Sequence, residues 1–330
     1  MFIISDDLAG AFDCAGHFSS LGIPTDVYLS SSSLRDGKRK SQLTECVKIV
    51  DLDCRYCSHE QLERTLNQVS NECGKPDFVK IDSTLRGNSA KIVDYVSDRF
   101  GRSIVCVATP WHGRTVEGGQ VFVNGSHLLE SEFSVDSLGD KFSNPNSNLR
   151  YLNQNHNFLD GVIEKDLEEI YDRHRGKEML IGASGLCKQL IREHKGSVGC
   201  SGYKAKPNSL LIVSGSRSKL SNSQIAYASQ SNKVLDSFVF EQVLEFPDTF
   251  FEAAKKFIKE HTGQNKPTIF FIGGSTQRVF FSKLNEAKIE MLGTLPPALP
   301  IGKLALDGHI HEFISKGGNS GNAYTIRDIL

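Results

Sequence analysis

Three aspartates, three cations and three glycine-rich bends carry most of the chemistry this chain could perform. Asp6 and Asp7 follow the apolar run FIIS, and Asp82 follows FVKI. Arg55, Lys80 and Arg86 supply positive charge. A carboxylate within reach of a hydroxyl can remove its proton or help to hold Mg2+. A guanidinium clamps a carboxylate through two parallel hydrogen bonds, which lysine does less well. One of Asp6 and Asp7 is expected to do no more than cap the helix that follows. Towards the other end, small residues crowd into Ser214-Gly215-Ser216, Gly273-Gly274-Ser275-Thr276 and Gly317-Gly318-Asn319-Ser320-Gly321. Glycines let backbone N–H groups converge, and a following helix N-terminus adds partial positive charge, so these bends suit phosphate. The plainer alternative is that they are tight turns between strand and helix. Neither GxxxxGK[ST] nor a GxGxxG after a strand occurs, which sets aside the usual P-loop and Rossmann phosphate sites.

The elements that must hold these residues follow from hydrophobic spacing. FVK and the residues after it read as a short strand, then a polar turn, then a helix with Ile92, Val93, Val96 and Phe100 on its apolar side and Asn88 at its N-cap. Lys80, Asp82 and Arg86 thus lie at a strand-to-helix junction, the usual ligand rim of an α/β sheet. Strands at 25–29, 46–52 and 103–108 and a helix opened by Ser58 and Gln61 continue the alternation, which implies βαβ units and a parallel sheet. Asn124-Gly125 between two apolar runs predicts a hairpin. Residues 131–157 read as an ordered polar loop. The stretch 196–208, rich in Gly, Ser, Lys and Pro, marks the expected domain boundary. Beyond it, strand, small-residue turn and helix recur, with Ser221 and Gln224 expected as a capping box.

With 330 residues the chain can build two domains. Its 38 basic and 39 acidic residues leave a net charge of −1, so no nucleic-acid or membrane-surface footprint is expected. No apolar run reaches the ~18 residues of a span, and the start lacks a basic n-region, so the cytoplasm is the expected compartment. Eight cysteines include one CxxC, Cys54 and Cys57, without the second pair that a structural zinc site needs. His309 and His311 would share one strand face, expected to be solvated, with no third ligand evident. His112 and Arg114 lie on a loop that could reach a cleft.

Taken together, ISDDLAGAFD (4–13), KIDSTLRGN (80–88), GRTVEGGQVFVNG (113–125) and GASGL (182–186) resemble motifs of the four-carbon acid sugar kinase family. VSGSRS (213–218), FIGGST (271–276) and SKGGNSGN (315–322) are similar to its C-terminal motifs. The resemblance implies two α/β domains with mainly parallel sheets. An acid-sugar-binding domain over residues 1–200 and a nucleotide-binding domain over 207–330 would enclose the active site in the cleft between them. It implies that Asp6 or Asp7, Arg55, Lys80, Ser83 and Arg86 hold the sugar acid. Ser214 or Ser216, Gly273, Gly274, Ser275, Thr276, Gly317, Gly318 and Asn319 would hold ATP. Ala9 stands where the family usually has threonine, and Ser275 replaces an acidic or similar residue. The chain also looks shorter than typical members, mostly after residue 130.

The expected activity is ATP- and Mg2+-dependent phosphorylation of a terminal hydroxyl of a threonate, erythronate or 3-oxo-tetronate type acid. Asp7 or Asp82 would orient or deprotonate that hydroxyl, and the sequence leaves the choice open. Self-association stays open as well. Two other classes remain: a phosphatase with an aspartate nucleophile, and a non-catalytic binding protein derived from a kinase.

Overall fold

The computed structural model describes residues 1–30, 46–128, 156–194, 206–262, 266–284, 286, 288–296, 298–318 and 320–330. Their backbone forms one 13-stranded sheet flanked by helices, with a separate three-stranded meander.

The first parallel sector is wound around β1 (Phe2–Ser5). Its neighbours are β3 (Val47–Asp51) on one side and β4 (Phe78–Lys80) on the other. β2 (Thr25–Tyr28) lies beyond β3; β10 (Met179–Gly182), β5 (Ser103–Cys106) and β9 (His156–Phe158) lie beyond β4. β4 and β5 have every residue buried, and the chain there reads as a near-continuous apolar run, the signature of a strand covered on both faces. The second parallel sector has the order β12 (Val234–Val239), β11 (Leu210–Ser214), β13 (Thr268–Ile272), β16 (His309–Lys316). The α/β class with mainly parallel strands is therefore observed, and the two sectors share one sheet. They are joined by an antiparallel ribbon, β14 (Lys288–Leu295) and β15 (Leu299–Leu306), with β14 on β2 and β15 on β16.

That ribbon decides where the site lies. Three successive antiparallel pairings make the second sector run opposite to the first along the ladder. Adjacent strands also twist by about 20–25° each, and the rotation accumulates over the strands between β16 and β1. The carboxyl ends of both sectors consequently line a common cleft. Helix α1 (Leu8–Ser19) packs across the join: Phe12 meets Phe281 and Phe313 at ring-centroid distances of 5.2 Å each, and Phe281 meets Phe313 at 4.9 Å. Gly302 is required here, since a Cβ on it would lie 2.7 Å from the Phe313 ring.

Several sequence expectations are corrected. Residues 156–158 form β9 instead of continuing a loop; the rest of 131–157, up to 155, lies outside the described residues, as does most of the expected boundary at 196–208. His311 is buried, not solvated, because its face of β16 turns inward, whereas His309 is exposed. The hairpin at Asn124-Gly125 joins β7 (Gln120–Val123) to β8 (Ser126–His127), and β6 (Arg114–Glu117) completes the meander.

Candidate functional site

The first wall of the cleft is a network of carboxylates and guanidiniums. Asp6 is anchored by its backbone: its N–H donates to the Lys80 carbonyl, and its carbonyl accepts from Cys54 and Arg55 N–H at 3.1 Å each. Arg55 then folds back onto it, with Nε 2.8 Å from Asp6 Oδ2 and Nη2 3.1 Å from Oδ1. The same guanidinium reaches Asp7 Oδ2 at 2.6 Å and Asp82 Oδ1 at 3.4 Å. Asp7 also caps α1, its Oδ1 accepting from Gly10 N–H at 2.9 Å. The expectation that one of the pair only caps the helix is thus corrected, because the capping aspartate also lines the cleft and binds Arg55.

The turn after β4 wraps this arginine. Asn88 N–H donates to the Arg55 carbonyl at 2.9 Å, and its side-chain amide donates to the Cys54 and Cys57 carbonyls instead of capping the helix it precedes. Gly87 has φ +62°, and a Cβ there would stand 1.9 Å from the Arg55 carbonyl oxygen. Asp82 is buried at the centre of the turn. Its Oδ2 accepts from Thr84 N–H, Thr84 Oγ1, Arg86 N–H and Arg86 Nε, and its Oδ1 from Arg86 Nη2 at 2.6 Å. Burial alone would raise this carboxyl, but the Arg86 and Arg55 guanidiniums hold it well below the usual range. Asp6, by contrast, is raised by its burial despite Arg55. Lys80 is buried beside Gly10, where a Cβ would come within 2.6 Å of Nζ; burial opposes its charge, and Asp6 and Asp7 overcome that and raise it.

The second wall uses hydroxyls, carbonyls and glycine. Thr276 Oγ1 accepts from Gly215 N–H at 2.8 Å and donates to the Ile272 carbonyl at 2.7 Å, tying the bend after β11 to the start of helix α8 (Gly274–Ser282). Gly273, with φ +105°, precedes that helix. Ser221 Oγ lies 2.7 Å and Ser218 Oγ 3.1 Å from the Gly318 carbonyl, and Gln224 Nε2 donates to the Ser320 and Asn322 carbonyls. Ser221 and Gln224 therefore brace the glycine loop rather than form a capping box; Ser218 caps that helix, accepting from Ser221 N–H. Lys316 Nζ donates to the Gly317 and Gly318 carbonyls at 2.6 and 3.2 Å, and burial pushes its pKa down to about 7.

Between the walls lies a cavity of ≈ 680 Å³. Asp7, Arg55, Arg86 and Arg114 line it on one side; Gly215, Ser216, the 273–276 bend, Gly317 and Gly318 line it on the other. A Cβ built on Gly274 would meet Asp7 Oδ2 at 3.9 Å and nothing nearer, so the start of α8 faces that carboxylate across open space. Asp6, Lys80, Asp82, Ser83 and Ser214 do not line the cavity: the first three and Ser214 are buried behind it, and Ser83 is half-buried. Asn319 lies outside the described residues. Sequence reasoning missed Asp53 and Arg278, which close one rim as an ion pair at 2.6 Å, and the Glu241 to Glu245 segment after β12. The signal for Asp53 was available, since it follows a parallel strand at the same end as Asp6 and Asp82. Among the described residues no group of three or more His, Cys, Asp or Glu is placed to hold a metal ion, and no helix is long and apolar enough to cross a membrane.

Comparison with known proteins bears on this geometry. Residues 1–157 match the family of sugar-binding N-terminal domains. D-threonate kinase of Cupriavidus necator is 36% identical over 133 residues, covering 39% of this chain and 31% of that protein. 3-Oxo-tetronate kinase of Pectobacterium atrosepticum is 25% identical over 271 residues, covering 68% and 63%. The 3-oxo-tetronate kinase of Salmonella typhimurium is 23% identical, covering 98% of this chain and 86% of that one. The first two matches thus span about a third and just under two thirds of those relatives. Among solved structures, a Haemophilus influenzae protein from a family of unknown function superposes with a TM-score of 0.65 at 16% identity, over 100% of this chain and 99% of that one. A Salmonella typhimurium LT2 protein bearing the name of a tRNA synthase gives 0.68 at 18%, over 99% and 97%. At these identities the likeness establishes the fold. The similarity to four-carbon acid sugar kinases read from the motifs is shown by the named relatives and the matching domain.

Proposed function

We propose that this chain, similar to the four-carbon acid sugar kinases, transfers the γ-phosphoryl group of ATP to a terminal hydroxyl of a small sugar acid. The observation that supports this best is the shared cavity, cationic on one wall and glycine-lined on the other. Phosphoryl transfer asks a protein mainly for positioning and charge neutralisation, and the two walls supply one each.

The nucleotide fits the second wall. Gly274 leaves the start of α8 open, and a Cβ on Gly318 would crowd Ser216 Oγ at 2.7 Å, so the backbone there can approach a phosphate closely. Ser216, the 273–276 bend and the Gly317-Gly318 loop would hold the phosphates, with Asn319 assigned from sequence alone. Bound ATP supplies the transferable phosphoryl, and Mg2+ spreads its charge. Mg2+ commonly rests on substrate phosphates and one or two carboxylates, so a protein-built cage is not needed.

The sugar acid belongs to the first wall. Arg55 spends most of its N–H groups on Asp6, Asp7 and Asp82, so it organises the wall. Arg86 is held by Asp82 through Nε and Nη2 and lines the cavity. Arg86 and Arg114 are thus the better grips for a substrate carboxylate. A phosphatase nucleophile at Asp7 is disfavoured, because one oxygen caps α1 and the other is paired with Arg55. The division into an acid-sugar domain and a nucleotide domain follows the two walls, although they share one sheet.

The experiment is ADP release against a panel of D- and L-threonate, D- and L-erythronate and 3-oxo-tetronates. Activity with at least one acid is expected, together with a KM for that acid raised at least tenfold in Arg86→Leu and an unchanged KM for ATP. No ADP release with any acid overturns the reading.

A further inference from the structure

The carboxylates that the sequence brings forward are occupied. Both oxygens of Asp7 are engaged, by Gly10 N–H and Arg55, and Asp82 sits among donors from Thr84, Arg86 and Arg55. The guanidiniums beside Asp82 hold its carboxyl well below the usual range, so it has little affinity for a hydroxyl proton. Asp13 is placed otherwise. It stands on α1 nearly two turns beyond Asp7 and lines a small pocket with His112, Ser315, Lys316, Gly317 and Ser320. Gly317 and Ser320 also line the main cavity, so the two spaces adjoin. Among the described residues no hydrogen bond or ion pair takes up the Asp13 carboxylate.

We propose that Asp13 is the general base of the transfer, its carboxylate receiving the proton of the acceptor hydroxyl beside Gly317 and Ser320. The assignment rests on the kinase reading above. In the step, the acceptor O–H bond breaks and its oxygen forms a bond to the γ-phosphorus. The bond from that phosphorus to the bridging oxygen breaks, ADP departs with the electron pair, and Asp13 holds the proton until solvent takes it.

The surroundings suit that task. Burial pushes the Asp13 pKa up to about 7; Lys80 opposes the rise, Asp7 adds to it, and Arg114 and Arg55 oppose it. His112, facing the same pocket, is lowered by burial to about 4 and brings no charge at neutral pH. Lys316, the remaining titratable neighbour, is itself poised near neutrality. A base works best when its pKa lies near the working pH.

Two variants of the full chain, Asp13→Asn and Asp13→Glu, test this. The first readout is kcat/KM for the active acid between pH 5 and 9. The wild type should lose activity below about pH 7, Asp13→Asn should fall by about 10²- to 10⁴-fold and lose that limb, and Asp13→Glu should recover part of it. The second readout needs no turnover: carboxyl-13C NMR of the unliganded protein should show an aspartate titrating near neutrality that Asp13→Asn removes. A variant with wild-type rate and pH limb overturns the base assignment and leaves the kinase reading intact. So does the absence of any aspartate carboxyl titrating above pH 6 in the wild type, a result that stands even if Asp13→Asn fails to fold. A wild type that releases no ADP with any acid removes both.

Discussion

The two walls of the cleft reach rigidity by opposite means. The first is built from full charges taken out of water: Asp6 has a side chain 0% exposed, Asp82 one 5% exposed, and Arg55, 12% exposed, serves three carboxylates at once. The second is built mainly from neutral groups: Thr276, Ser218, Ser221 and Gln224 satisfy the backbone of the bends at Gly215 and Gly318, joined by the Lys316 amine on the Gly317 and Gly318 carbonyls. On the proposed function, the difference follows from the ligand each wall would meet. A wall that receives a carboxylate needs fixed cations, and cations fixed by buried anions do not collapse onto one another. A wall that receives polyphosphate needs backbone N–H groups at close range, which side-chain bulk would block.

The contrast predicts unequal costs. Arg55→Leu should be the most damaging change, because it leaves the buried Asp6 carboxylate without its partner and loosens Asp7 and Asp82 together. Removing one partner of a buried pair typically costs about 3–5 kcal/mol, so denaturant unfolding should show a loss of that order. A loss under 1 kcal/mol would mean that the first wall is not held by its charges. Asp6→Asn in the Arg55→Leu background should recover part of the stability, since the residual cost is an uncompensated charge.

The same wall predicts a pH signature. Asp82 has a folded-state pKa far below its unfolded value, so its contribution is complete above about pH 4 and disappears only as pH falls through the depressed value. Asp6 and Asp13 have raised pKa values, so their ionisation weakens the fold as pH rises above the unfolded value near 4. Asp13→Asn should therefore raise the melting temperature at pH 8 and leave it nearly unchanged at pH 4. Equal shifts at the two pH values would contradict the placement of Asp13 in a poorly solvated pocket.

On the second wall, Ser221→Ala removes one hydroxyl from the Gly318 carbonyl while Ser218 Oγ remains at 3.1 Å. The stability loss should be about 1 kcal/mol, the net worth of a neutral hydrogen bond. The effect on nucleotide affinity should exceed that on affinity for the sugar acid. A larger effect on the acid would erase the distinction between the walls.

Much of this was legible in the chain because its logic is local. Strand, polar turn and helix around residues 78–100 and the glycine bends after β11, β13 and β16 are read from apolar spacing alone. The ribbon was not read. Lys288–Leu295 alternates in burial along its whole length, but Pro296, Pro300 and the nearby glycines suggest a turn-rich segment until the partner strands are known. Asp13, although it ends the ISDDLAGAFD motif, was not singled out for a related reason: on an isolated helix it is an ordinary polar position. The pocket around it is closed by His112, Leu299 of β15, Ser315 and Lys316 of β16 and the glycine loop that follows, all far from it in the chain. Ser221 and Gln224 matched a capping pattern by spacing, yet the loop they brace comes about a hundred residues later.

The smallest expected effect concerns the one described ion pair that joins the rims. Arg278 on α8 and Asp53 after β3 meet at 2.6 Å with side chains 45% and 48% exposed. An exposed pair of this kind contributes about 0.2–1 kcal/mol and is screened by salt. Arg278→Ala should therefore leave the melting temperature almost unchanged. Its consequence should fall instead on how readily the rims part, because the pair spans the mouth of the cavity and each partner belongs to a different wall. Exchange of bound ADP, followed by stopped flow, should be faster in Arg278→Ala at low salt. The difference from wild type should vanish as salt approaches 1 M, where the screening length is about 3 Å. An acceleration that persists at high salt would locate the restraint in the packing of α1 across the join, at Phe12, Phe281 and Phe313, and the rims would then be coupled through the core rather than through charge.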